Sequence, residues 1–192
     1  MKEVLNDLAT LSGLSGKDFQ ILQDAAEETQ AWGGEIADAF YEVLLSYEPT
    51  ARVFEGREHL LKKHKEALVK WYLEVTSGTT TNEEFWERQW LVGLLHIPHK
   101  VTNPYMFGMM SRVQQLFLHK CLAEFELEKA EAVYTAFKRV TDVTAGLIAE
   151  SYFISYMTAM ENIGGMSRSL VERMMDLEIK NMITEARKQT HG

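Results

Sequence analysis

Residues 83–96 constrain the fold most, because the helix predicted there is apolar on almost every side. At about 100° per residue, its large side chains spread around the whole circumference. They are Phe85, Trp86, Trp90, Leu91, Val92, Leu94 and Leu95. The sequence therefore predicts a helix that the rest of the chain surrounds and buries. Pro98 ends this helix just beyond His96, whose imidazole lies on an otherwise apolar surface.

The rest of the chain shows helical periodicity and has few residues that break helices. It has 192 residues, of which 46% are apolar, with twelve glycines and three prolines. Strand-like alternation of apolar and polar residues is absent. The sequence therefore predicts an all-α fold with a sizeable core. The predicted helices span residues 2–11, 15–30, 36–47, 50–54, 57–76, 83–96, 103–125, 127–160 and 167–188.

Several local signals give the ends and faces of these helices. Ser15, Asn82 and Asn103 are predicted N-caps, and Gly33-Gly34 is a predicted interruption between two helices. The helix over 57–76 has a predicted apolar stripe of Leu60, His64, Ala67, Leu68, Trp71 and Val75. The helix over 127–160 has predicted inward positions at Val133, Phe137, Val140, Thr144, Leu147, Ile148 and Ser151.

Charge and composition exclude several classes of protein. The net charge is −8 and the pI is near 5.3, and no basic stripe is present to bind nucleic acid. No run of eighteen apolar residues predicts a membrane span. Cys121 is the single cysteine, which excludes an internal disulfide and fits a reducing compartment. The charged N-terminus does not resemble a signal peptide, so we expect a cytoplasmic protein.

Two histidines, His64 and His96, lie on apolar faces of separate predicted helices. Each could be a core histidine with a backbone partner. Together, facing one another across a pocket, they would suit a flat iron macrocycle, one as axial ligand and one near the open side. Other metal sites fit less well, because no histidine follows a glutamate by three residues and Pro98 separates His96 from His99.

The order of these features resembles a globin, and more closely the globin-coupled sensor and protoglobin lineage. The run Ile36-Ala37-Asp38-Ala39-Phe40-Tyr41 is similar to the second-helix motif of globin-coupled sensors. The segments 82–85 and 92–96 resemble the approach to the proximal histidine in those proteins. Pro104, Tyr105 and Gly108 follow a similar Pro, aromatic, Gly pattern, with the proline displaced by one position. The resemblance spans roughly residues 15–160.

The resemblance implies a haem b cofactor (iron protoporphyrin IX) and a role for each of several residues. His96 would be the proximal iron ligand, and Tyr41 the distal hydrogen-bond donor to a bound gas. Phe54 would stack on the macrocycle, and His64 would bond the gas, control its access or bind the iron as a second ligand. The remaining pocket residues implied are Leu60, Ala67, Leu68, Val92, Tyr105 and Met106. Tyr105-Met106 stands where the family usually has a Trp-Tyr pair.

The fold implied is the sensor-globin type, with a reduced D helix, an extra N-terminal helix and a C-terminal helical extension. A globin domain is expected over residues 1–162, followed by an extension over 163–192 without catalytic motifs. The function implied is binding or sensing of oxygen, nitric oxide or carbon monoxide, by a binding protein and not an enzyme. The alternatives are a haem-free globin-fold interaction module, and nitric oxide dioxygenase or peroxidase-like activity with an external reductase.

Relatives commonly pair through their last two long helices. Here residues 109–122 and 133–152 carry more apolar residues than one core requires, which predicts a homodimer. The sequence leaves open which gas is physiological, whether the resting iron has five or six ligands, and which downstream partner reads the signal. It also assigns no role to His99 or to residues 163–192.

Overall fold

A computed structural model describes residues 1–190 of the chain, and that part is helical without strands. The all-α prediction is therefore confirmed. The helices are α1 (Lys2–Ser12), α2 (Gly16–Asp24), α3 (Ala26–Gln30), α4 (Gly33–Ser46), α5 (Glu48–Ala51), α6 (Leu61–Thr76), α7 (Glu83–His96), α8 (Asn103–Glu124), α9 (Leu127–Gly164) and α10 (Arg168–Thr190). Two short 3₁₀ turns, Arg52–Phe54 and Glu58–Leu60, connect α5 to α6. No helix in this described part is both long and apolar enough to cross a membrane.

The chain forms two compact units. The first comprises Met1–Ser151, and the second begins at Tyr152 inside α9. The boundary expected after residue 162 also lies within α9, and it stays a prediction.

The first unit has one aromatic core built on α6, α8 and α9. The rings of Phe117 and Phe137 stack with centroids 3.8 Å apart, and Tyr72 meets both of them at an angle. The Tyr72 hydroxyl donates to the carbonyl oxygen of Thr29 at 2.7 Å, so this buried polar atom is satisfied. All seven predicted inward positions of α9 are buried, which confirms that part of the periodicity argument.

The helix ends agree with the sequence signals at some places and differ at others. Ser15 is the N-cap of α2, and Asn82 Oδ1 accepts from the backbone N–H of Phe85 at 2.8 Å at the start of α7. The N-cap of α8 is Thr102, one residue before the predicted Asn103. The predicted break between two helices is present but lies at Ala31-Trp32, because Gly33-Gly34 already belongs to the first turn of α4.

The prediction that α7 is buried on every side is also wrong. Its buried residues, Phe85, Trp86, Gln89 and Gly93, lie on one half of the circumference. On the other half Leu91, Leu94 and Leu95 are exposed by 38–56%. The sequence pattern shows which positions of α7 are apolar, but it does not show which of them the rest of the chain covers. In the described part of the chain, other helices cover only one side of α7.

Candidate functional site

Three of the predicted pocket residues form a continuous series of ring contacts. Tyr41 is on α4, Phe54 ends the first 3₁₀ turn, and His64 is on α6. The ring centroids of Tyr41 and Phe54 are 6.1 Å apart, and those of Phe54 and His64 are 5.8 Å apart, both edge to face. This arrangement is typical of aromatic pairs, and it gathers residues from three elements into one cluster, the distal ring cluster.

Tyr41 brings a hydroxyl group into this largely apolar cluster. Its side chain is buried, and the burial raises the pKa of the phenol to about 12. The hydroxyl therefore stays protonated over the physiological pH range and can donate a hydrogen bond.

His96 lies in the last turn of α7, as the sequence predicted. Burial and, to a smaller extent, the nearby His99 together lower the pKa of its imidazole to about 4. The ring is consequently neutral at pH 7 and keeps a nitrogen lone pair. A neutral imidazole is the form that coordinates a metal ion.

His99 affects the pKa of both His64 and His96. The partial burial of His64 lowers its pKa, and charge on His99 and Lys63 lowers it further. His99 therefore acts electrostatically on both His64 and His96. Nδ1 of His99 is also in hydrogen-bond contact with the guanidinium of Arg57, which joins the turn after α7 to the segment before α6.

The other predicted pocket residues differ in their burial. Met106 is buried, and Leu60, Leu68, Val92 and Tyr105 are half-buried. His64 and Ala67 are exposed, although they were expected on the apolar stripe of α6. The exposed side chains of α7 in the turns around His96 include the apolar Leu91, Leu94 and Leu95, whereas the exposed side chains of α6 around His64 are mainly Lys and Glu. An uncovered apolar face that ends at a histidine suits a large, flat and mostly apolar ligand.

The donor set fits haem better than a metal ion held by side chains alone. Among the described residues no group of three or more His, Cys, Asp or Glu side chains could hold a metal ion. A metal bound by His96 would therefore need further ligands from a prosthetic group. A porphyrin supplies four ring nitrogens, so that one neutral imidazole from the protein would suffice to hold its iron.

The sequence over residues 1–158 matches the family model described as Protoglobin. The chain belongs to the protoglobin family. This confirms the family that its motifs resemble. No curated protein matches the chain.

Two solved structures show the same globin fold as this protoglobin. The globin domain of the Geobacter sulfurreducens globin-coupled sensor superposes with a TM-score of 0.70 at 19% identity, covering 77% of this chain and 96% of that one. The ferric globin domain of E. coli DosC gives a TM-score of 0.65 at 14% identity, covering 77% and 99%. At these identities the likeness establishes the fold.

Two features of this protoglobin's site were not found from the sequence. Arg57 contacts His99 across 42 positions of the chain, and no local pattern indicates such a contact. Gly93 lies one turn before His96 and packs tightly on α9. A glycine inside an otherwise strongly apolar helix was the available signal for this close approach.

Proposed function

We propose that this protoglobin binds haem b through His96 and uses it to bind or sense a diatomic gas. The observation that carries the proposal is the neutral, half-buried imidazole at the end of α7. His99 acts electrostatically both on this imidazole and on His64 of the distal ring cluster. When bound, haem would supply an iron atom with a position open to oxygen, nitric oxide or carbon monoxide.

Each side chain of the site has a distinct part in this proposal. The lone pair of His96 holds the iron from one side. The protonated hydroxyl of Tyr41 donates to a polar gas such as oxygen, and Phe54 provides an apolar ring beside it. His64 neighbours Phe54 and is open to solvent. Its proposed role is to bond the gas, to control its access or to bind the iron as a second ligand.

The b type of haem is favoured by the cysteine content. Covalent attachment of a c-type haem uses a Cys-x-x-Cys-His motif. Cys121 is the single cysteine of the sequence, and its side chain is fully buried in the core. Haem is therefore proposed to be held by coordination and packing alone, and the free thiol agrees with a cytoplasmic location.

The test is the absorption spectrum of the purified protein with added hemin, before and after dithionite. We expect a Soret band in the wild type and its loss or displacement in His96→Ala. His119→Ala is the matched control, because His119 is an exposed histidine on α8 and its removal should leave the spectrum unchanged. If the wild type gives no Soret band, the haem proposal is wrong and the haem-free interaction module replaces it.

We further propose a binding protein and not an enzyme. Binding of a gas needs only the haem and the residues around it, whereas any turnover of nitric oxide would need electrons from a separate reductase. Sustained consumption of nitric oxide by the haem-loaded protein, with a supplied reductant, would favour dioxygenase activity instead.

We propose a homodimer through α8 and α9 in which fewer apolar residues are available for the interface than the sequence indicated. The apolar residues of α9 up to Ser151 are used mainly by the chain's own core. On α8, Phe107 and Leu122 remain about half exposed and are available to a second copy. Light scattering on the purified protein should give twice the chain mass, and Leu122→Lys should lower the dimer fraction.

A further inference from the structure

Helix α10 exposes a regular stripe of side chains for which the fold described so far has no use. Leu170, Met174 and Leu177 are exposed by 37%, 53% and 64%, and Asn181 and Thr184 continue the stripe on the exposed surface. The spacing is alternately four and three residues, which is the seven-residue repeat of a coiled coil. In the usual notation Met174 and Asn181 are a positions, and the other three are d positions.

The charged residues beside this stripe favour pairing with α10 of a second copy, with the two helices parallel. The g positions are all basic, Arg173, Lys180 and Arg187, whereas Glu178 and Glu185 occupy e positions. In a parallel dimer each g side chain faces the next e side chain of the other helix. Arg173 then faces Glu178 of the partner subunit, and Lys180 faces Glu185 of the partner subunit. All four of these side chains are exposed.

The antiparallel arrangement is disfavoured by the same residues. There g positions face g positions and e positions face e positions, so basic groups meet basic groups and glutamates meet glutamates. Asn181 adds a second preference, because an asparagine at an a position favours two strands in matched register. The side chains of two copies are thus complementary only when their α10 helices run parallel.

A competing face of α10 carries Ile179, Met182 and Ile183, which are also exposed. If Ile179 and Met182 were the a and d positions, the flanking residues would be Glu178 and Glu185 on one side and Asp176 and Ile183 on the other. That register offers no pair of opposite charges. Charge complementarity therefore distinguishes the two faces.

The same repeat is present in the end of α9, within the same compact unit. Phe153, Tyr156, Met160 and Ile163 follow the a and d phase that reaches Leu170 without a shift, and all four are exposed. Part of this surface is an apolar groove of about 320 Å³ beside Tyr156, Met160 and Ile163. The repeat keeps its phase in the sequence only, because residues 165–167 are not helical and Gly165 has a φ of 62°.

We propose that α10 pairs with α10 of a second copy as a parallel, in-register two-stranded coiled coil. The pairing covers the exposed Leu170, Met174 and Leu177 and aligns the complementary charges. It is independent of haem binding. Failure of the haem proposal would leave it unchanged.

Disulfide trapping in the full chain tests this geometry directly. A cysteine at a d position of a parallel, in-register pair lies opposite its own copy, whereas a cysteine on the outer face does not. We expect Leu177→Cys to form a disulfide-linked dimer on mild oxidation, and the matched outer variant Ile179→Cys to give about tenfold less. Cys121 should not interfere, because burial raises the pKa of its thiol to about 12.

Charge reversal tests the direction independently. Arg173→Glu should reduce trapping through Leu177→Cys severalfold, because it places two glutamates opposite each other in both halves of the dimer. Adding Glu178→Arg should restore trapping in a parallel pair. Equal trapping at positions 177 and 179, no trapping at 177, or no rescue by the double reversal would each overturn the proposal. Circular dichroism of every variant checks that the exposed substitutions leave the fold intact.

Discussion

Gly93 of α7 and Ser151 of α9 are packed so closely that no side chain fits between them. A Cβ atom built on Gly93 would overlap the Ser151 hydroxyl and would lie 2.8 Å from the carbonyl oxygen of Ile148. The hydroxyl could rotate away, but a helix carbonyl cannot move without shifting α9. This contact fixes the position of α7 one turn before His96, and so it fixes the imidazole that we propose to bind iron.

Gly93→Ala should therefore lower the stability of the protein despite the better helix propensity of alanine. Overpacking of this kind costs about 2 kcal/mol. Urea unfolding measures the loss, and hemin titration should show weaker binding because His96 is displaced. Gly108→Ala is the matched control, since Gly108 is also helical and has nothing within 4 Å of the added methyl group. Equal behaviour of the two variants would contradict this account of the packing.

Tyr41→Phe should speed the dissociation of oxygen from the haem-loaded protein, provided that the proposed function holds. The variant keeps the ring that meets Phe54 and removes the protonated hydroxyl. Loss of one hydrogen bond of this kind corresponds to about a tenfold faster rate. Stopped-flow absorbance measures it.

The control for that experiment is Tyr47→Phe, because Tyr47 is 56% exposed and lies outside the distal ring cluster. Its oxygen dissociation rate should match that of the wild type. If Tyr41→Phe also matches the wild type, Tyr41 is a packing residue and another group bonds the gas.

The sequence predicted those features that depend on residues near one another in the chain. The N-caps Ser15 and Asn82 and the end of α7 at His96 follow from local chemistry. The inward positions of α9 follow from a 3.6-residue period sustained along a long helix. Family motifs added Tyr41 and Phe54, which the structure brings into ring contact.

Other features depend on which distant segments of the chain pack together after folding. Hydrophobic periodicity does not predict that packing. The exposure of Leu91 and Leu95 depends on which side of α7 the core covers. The break between α2 and α3 at Ala25 has no glycine or proline to mark it. The contact of Arg57 with His99 joins two segments that meet only after folding.

Asp18→Asn should destabilise the first unit by about 2 kcal/mol. The carboxylate of Asp18 is almost completely buried, and it accepts from the backbone N–H and hydroxyl of Ser15 at 2.8 and 2.9 Å and from Arg139 at 2.8 Å. The amide keeps the shape but loses the charge that Arg139 requires. Asp24→Asn is the control, because Asp24 is exposed and should change stability little. Thermal and urea unfolding compare the two.

The haem-free protein should lose stability as the pH falls from about 6.5 towards 4. Burial lowers the pKa of His96 from its ordinary 6.5 to about 4 in the folded chain. Between these values the unfolded chain binds a proton that the folded chain does not, so acid favours unfolding. The full loss of unfolding free energy is about 3 kcal/mol, and it is reached once the pH is below the pKa of His96 in the folded chain.

Urea unfolding of the haem-free protein at pH 7.5, 6.5, 5.5 and 4.5 would measure this effect, with His96→Gln as the reference. Glutamine does not titrate, so the difference in unfolding free energy between wild type and variant should change with pH in this range. Other titrating groups are common to both proteins and cancel in the difference. A difference that stays constant from pH 7.5 to 4.5 would mean that His96 has the same pKa in the folded and unfolded chains, and it would contradict the burial of its imidazole in a place that disfavours the charged form.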